Sequence, residues 1–224
     1  MQNKDESIKV GDKINEFVQR NRGGIFICMG VIIFLLVGFV VFLSVHDVFL
    51  KKGISEVEEL NLKFFELHLD EGADAFSVEV DEFLAEIISF ADKKSGYPAG
   101  RAWALAGHIY TQRKDWPSAQ EAWQKAAKAA SKTFLAPAAY FNAAAAAEEQ
   151  GNREEAIELY KDCVSNPFDF VAAPRAQFSI GRLNEELGNV PAAIEAYRVI
   201  LTRWPSIAVW ANLAQSRLAV IEVQ

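Results

Sequence analysis

Cysteine and histidine are scarce in this 224-residue chain, which has two of the first and three of the second. Cys28 lies inside an uncharged apolar run and Cys163 far downstream in mixed sequence, so no intrachain disulfide framework can form and stability has to come from packing. His46, His68 and His108 are widely separated. The chain also holds no HExxH, GxSxG, P-loop, GxGxxG after a strand, or paired CxxC. Catalysis, a bound metal, a bound cofactor and a small-molecule substrate are therefore not expected. Asp70-Glu71-Gly72-Ala73-Asp74 lacks the alternating acids and closing glutamate of a calcium loop and reads as a solvated turn between helices. Strand-forming runs are few, whereas Ala, Leu, Glu and Lys are plentiful, so helices are expected throughout.

Positive charge is also in short supply. From Gly53 onward there are 16 Lys and Arg against 25 Asp and Glu, a net charge of −9. Such a balance argues against a surface that tracks phosphates, and nucleic acid is not an expected partner.

Charge is wholly missing from Ile25 to Val45, IFICMGVIIFLLVGFVVFLSV. At a rise of about 1.5 Å per residue this run spans roughly the 30 Å hydrocarbon core of a bilayer, and it is predicted to be a transmembrane helix. A cleaved signal peptide would need a shorter apolar core and a small-x-small cleavage site, and a buried core helix of this length would keep a polar face. Lys4, Lys9, Lys13, Arg20 and Arg22 precede the run, while only Lys51 and Lys52 follow it closely. The excess of cations before the span predicts a cytoplasmic N-terminus. In a bacterial inner membrane the remainder is then periplasmic, the opposite orientation being the alternative.

Three later segments align with one another at a fixed period. Gly107, Ala144 and Gly181 are 37 residues apart in succession, as are Ala119, Ala156 and Ala193, and Trp123, Tyr160 and Tyr197. In the first segment Trp103, Gly107, Tyr110, Ala119, Trp123 and Ala126 resemble the signature of the tetratricopeptide repeat (TPR). Tyr140, Ala144, Gly151, Ala156 and Tyr160 carry the resemblance in the second segment; Gly181, Gly188, Ala193, Tyr197 and Pro205 carry it in the third. Gln177, Asn184 and Ile200 depart from it. The resemblance implies an all-α, right-handed solenoid of paired antiparallel helices, small residues standing where the helices cross closely. Gly151 and Gly188 are expected to end first helices, and Pro117 and Pro191 to open second ones. The usual period is about 34 residues. The extra length is expected after the second helix, with Lys125–Ser131 extending it by nearly a turn.

The domains predicted on this basis are an N-terminal tail (1–22), the transmembrane helix (23–49), a degenerate helical pair (50–96), three repeats (97–134, 135–170 and 171–205) and a capping helix (206–224). The degenerate pair is marked by the helical spacing of Val57, Leu60, Phe64 and Phe65, then Phe83, Ile87 and Ile88; the cap is expected to turn Val209, Leu213 and Leu218 inward.

TPR geometry implies a concave groove lined by the first helix of each repeat. It would present Arg101, His108, Phe141, Asn142, Arg175, Phe178 and Arg182, with Glu148 and Ser179 among them. Exposed aromatics beside arginine are the composition of peptide-binding hot spots, so protein or peptide partners are expected there. Asn142 and Arg175 match two of five positions of the carboxylate clamp found in some TPR proteins; Ala104, His108 and Ser179 stand at the other three, so the full clamp is not expected. Cys163 falls in a small-residue slot and is expected to be buried and inert. A single N-terminal span followed by TPR units resembles the YfgM-like ancillary subunits of the bacterial SecYEG translocon. That resemblance implies an inner-membrane scaffold that binds proteins at the periplasmic face and assists secretion or envelope assembly. The alternative is a constitutive structural subunit of a membrane complex, such as secretion or cytochrome-maturation machinery.

Overall fold

The computed structural model describes residues 2–69 and 77–221, with side chains from Gln19 onward apart from Ile25, His46, His68 and Leu69. The turn expected at Asp70–Asp74 lies outside the described residues. Among the described residues there are nine helices and no strand: α1 (Gln2–Leu69), α2 (Val78–Lys93), α3 (Gly96–Gln112), α4 (Trp116–Ala129), α5 (Leu135–Glu149), α6 (Arg153–Ser165), α7 (Ala173–Glu186), α8 (Val190–Arg203) and α9 (Ala208–Ile221). The chain divides into two units, Met1–Lys52 and Gly53–Gln224.

In the first unit the large apolar side chains from Phe26 to Phe49 all stand exposed. The stretch Gln19–Leu67 is the one helix among the described residues long and apolar enough to cross a membrane. The apolar window within it buries none of its side chains, which makes it a candidate span by length and composition.

The second unit is a stack of helices in which each packs on the next in sequence. Short connections force neighbours antiparallel, so α3, α5, α7 and α9 run one way and α4, α6 and α8 the other. Within each pair, three residues make the turn by the same device. Asp115, Asn152 and Asn189 donate their backbone N–H groups to the carbonyls of Tyr110, Ala147 and Asn184 at 2.8–3.0 Å. The residue before each donor is left-handed: Gly151 at φ 79° and Gly188 at φ 72°, but Lys114 at φ 57°. Pro117 and Pro191 then open α4 and α8, where no N–H is needed.

Lys114 is exposed and occupies a conformation that its Cβ disfavours. Glycine would remove that strain while adding unfolded-state entropy, so Lys114→Gly is expected to stabilise the domain by about 0.5–1 kcal/mol net. Denaturant midpoints of the full chain in detergent check this; an unchanged or lower midpoint would contradict the strain.

The helix crossings depend on the small residues. A methyl built on Gly107 would stand 2.7 Å from the Trp123 ring, and one on Gly181 would stand 2.5 Å from the Tyr197 ring. Ala119, Ala156 and Ala193 are fully buried beneath the same crossings. The three departures from the repeat signature are accommodated without unpaired polar groups. Gln177 donates to the Ala196 carbonyl at 3.1 Å, Asn184 donates to the Ile180 carbonyl at 2.7 Å, and Ile200 is buried.

Two local expectations are corrected. The second helices have 14, 13 and 14 residues, so Lys125–Ser131 does not lengthen α4; the added residues lie in the connections 130–134 and 166–172. On α9 the inward residues are Ala211, Ala214 and Leu218, whereas Val209 and Leu213 are 66% and 43% exposed. Before the repeats, Val57 and Leu60 of α1 and Phe83, Leu84 and Ile87 of α2 are buried in the core that continues into α3.

Candidate functional groove

Helix α5 is built around alanine. Ala143, Ala144, Ala146 and Ala147 are buried against its neighbours, which leaves Phe141, Asn142, Ala145, Glu148 and Glu149 toward its open face. On α7 the corresponding stripe is Arg175, Phe178 and Arg182, spaced i, i+3, i+7. Ala145, Glu148 and Glu149 of α5, the α7 stripe and α9 border a depression of about 340 Å³, which Phe141 and Asn142 do not line. Arg175, Phe178, Ser179 and Arg182 line it, with Tyr160 beneath and Trp210 of α9 at the side.

Aromatic packing holds the neighbouring rings in place. Phe141 meets Tyr160 edge-on at 5.4 Å and Phe170 at 5.9 Å; Phe178 lies 5.2 Å from Tyr197 and 5.6 Å from Trp210. The Arg175 guanidinium lies over the Phe141 ring, 5.2 Å from its centre, while its side chain remains exposed. A guanidinium held on an aromatic face keeps its hydrogen-bonding edge available for a carboxylate or a backbone carbonyl.

Arg182 is differently placed. It forms ion pairs with Glu148 and, at 2.5 Å, with Glu186, which in turn pairs with Arg153 at 2.7 Å. Burial works against the Arg182 charge, but the two carboxylates outweigh it and raise its pKa. Glu148 also accepts a hydrogen bond from the Tyr160 hydroxyl at 2.7 Å. Arg182 thus joins the second repeat to the third, and Arg175 is the more open cation of the stripe.

The same register recurs along the stack. Trp123 donates its indole N–H to Thr111 at 3.2 Å, just as Tyr160 does to Glu148, twelve residues back in each case. One period later Tyr197 faces Glu185; burial and that carboxylate raise the phenol's pKa, although its hydroxyl makes no hydrogen bond among the described residues. Glu185 pairs with Arg217 of α9, as Glu148 pairs with Arg182.

The remaining groove residues are split between places. Asn142 is half-buried on the open side of α5. Arg101 donates to Asn61 at 2.9 Å, and His108 stacks edge-on against Trp123 at 4.7 Å and near Phe64 at 6.1 Å. Arg101 and His108 form a separate patch between α1 and α3 and do not line the 340 Å³ depression. Trp210, Tyr160 and Phe170 were not anticipated from sequence. Elsewhere a shallower-featured depression of about 440 Å³ runs between α6, α7 and α8 over Val164, Ile180, Ala196 and Val199. Cys163 is buried, and burial pushes its thiol up to about 12.

Comparison with known proteins agrees with this architecture. Residues 104–170 and 165–206 match the tetratricopeptide repeat family. A TPR repeat-containing protein of Treponema pallidum (strain Nichols) is 38% identical over 92 residues, covering 40% of this chain and 38% of that protein. The chain therefore spans well under half the length of the curated relative it matches.

Proposed function

We propose that this TPR repeat protein is a scaffold held at a membrane by its N-terminal helix, and that it captures extended segments of other proteins in the groove between α5, α7 and α9. The observation that carries this reading is the convergence of Arg175, Phe178 and Trp210 on one open depression. A shallow site with aromatic walls and one exposed guanidinium suits a peptide with an apolar side chain beside a carboxylate or a free backbone carbonyl.

The excess of cations before the apolar run supports an orientation with the N-terminus cytoplasmic and the repeats, in a bacterium, in the periplasm. Clients emerging from secretion or envelope assembly fit that location. In that setting the groove holds partners transiently, and the ion pairs of Glu148, Arg182 and Glu186 keep its walls in register.

Arg175→Glu is the cleaner test, because the side chain is exposed whereas Phe178 also packs on Tyr197 and Trp210. Partner recovery in co-purification from mild detergent is expected to fall about tenfold, roughly 1.4 kcal/mol, with the melting temperature unchanged. Glu149→Lys, at the groove's other rim, is the matched charge control. Equal recovery with wild type and Arg175→Glu would remove the groove from the account. A single stoichiometric partner would favour a constitutive subunit, and many substoichiometric ones a scaffold.

A further inference from the structure

The second unit has two unlike ends. Because first and second helices alternate in direction, the turns 113–115, 150–152 and 187–189 lie at one end, and the connections 94–95, 130–134, 166–172 and 204–207 lie at the other. The turn end is acidic, with Asp81, Asp115, Glu149, Glu154, Glu155 and Glu186 exposed against Lys114 and Arg153. The connection end holds exposed Lys93, Lys128, Lys132 and Arg203, against Asp92, Asp162 and Asp169. In a unit of net charge −9 this concentrates cations at one edge.

The same edge is apolar at a fixed register. Tyr97, Phe134 and Val171 are 37 residues apart, each at the entry to a first helix. Phe134 is 68% exposed and Val171 is 92% exposed. Tyr97 and Phe134 are neighbours, with ring centres 6.1 Å apart. At the same edge Arg203 lies over the half-buried Trp204 ring at 4.5 Å. Water gives no reason to repeat an exposed apolar residue at the same point of successive units. A surface with a polar, anionic skin and an apolar interior does, and lysine or arginine beside Tyr, Trp and Phe is the composition that settles at such a boundary.

We propose that the connection edge rests on the lipid surface, with Phe134 and Val171 in the headgroup boundary and Lys93, Lys128, Lys132 and Arg203 on anionic phosphates. This rests on the membrane-anchor reading above.

The test uses the full chain in a Cys28→Ser/Cys163→Ala background, carrying an environment-sensitive fluorophore on Val171→Cys, Phe134→Cys or, at the opposite end, Asn152→Cys. Nanodiscs of phosphatidylglycerol with brominated acyl chains are expected to quench the labels at 134 and 171 at least about twofold more than the label at 152. The difference should shrink in phosphatidylcholine nanodiscs and in Lys128→Glu/Lys132→Glu. Equal quenching at both ends, or none at 134 and 171 in a protein that resists carbonate extraction from vesicles, overturns the edge contact alone. Release of the protein by carbonate overturns the anchor, and the edge contact with it.

Discussion

Trp123→Ala is expected to destabilise the helical domain by about 3–5 kcal/mol, as large-to-small changes of buried tryptophan do. Trp123 is 3% exposed and its ring lies directly over Gly107, so truncation leaves a void at a point where two helix backbones approach closely. His108 would lose its edge-on partner and Thr111 its indole donor. The position sits in the first full repeat, between α3 and α5, so the loss is felt on both sides of the stack. Chemical denaturation of the full chain in detergent, followed by near-ultraviolet circular dichroism, reads the shift. A surface-like change, within about 0.5 kcal/mol, would mean that the helices do not cross as described.

Gly181→Val is expected to cost about 3 kcal/mol, from the opposite cause. The first carbon of the new side chain would already stand 2.5 Å from the Tyr197 ring, and Tyr197 is fully buried with no room to withdraw. Gly181→Ala places that same first carbon against the ring and is expected to destabilise too, with Gly181→Val costing more because it adds two further methyls. A cost of Gly181→Val within about 0.5 kcal/mol would show that Tyr197 is not packed on this position.

The repeat was legible because its determinants are local in type and periodic in spacing. A small residue at the crossing, an aromatic sixteen residues on, and a left-handed turn residue between them can be read without knowing any distance. Gly151 and Gly188 adopt the expected positive φ; Lys114 takes the same conformation without being glycine, which composition alone does not announce. What escaped reading depends on rotation about helices that lack a clear polar face. Helix α9 is apolar on most sides, with Arg217 its one charged residue, so periodicity cannot choose between Val209 and Leu213 or Ala211 and Ala214 as the inner face. Trp210 follows from that choice, and with it the side wall of the groove.

The groove's electrostatics were hidden for a related reason. Arg182 has one partner that sequence shows, Glu186 four residues on, but the other, Glu148, lies 34 residues away on the preceding first helix. The recurrence of Thr111, Glu148 and Glu185 at 37-residue spacing, twelve residues before each crossing aromatic, was available as a signal for these pairings. Arg101 and His108 were drawn into the groove by family geometry. Their partners, Asn61 and Phe64, come from a helix outside the clear repeats and form a patch of their own.

The central claim is that partners are held in the groove between α5, α7 and α9. Site-specific photocrosslinking in the membrane-embedded full chain tests it most directly, with a benzophenone amino acid replacing Glu149 at the groove's rim, which leaves Arg175, Phe178 and Trp210 in place, or Glu195 beside the depression between α6 and α8. The account predicts discrete protein adducts from position 149 and few or none from position 195. Adducts from 195 with none from 149, or the same adducts from both, would contradict it.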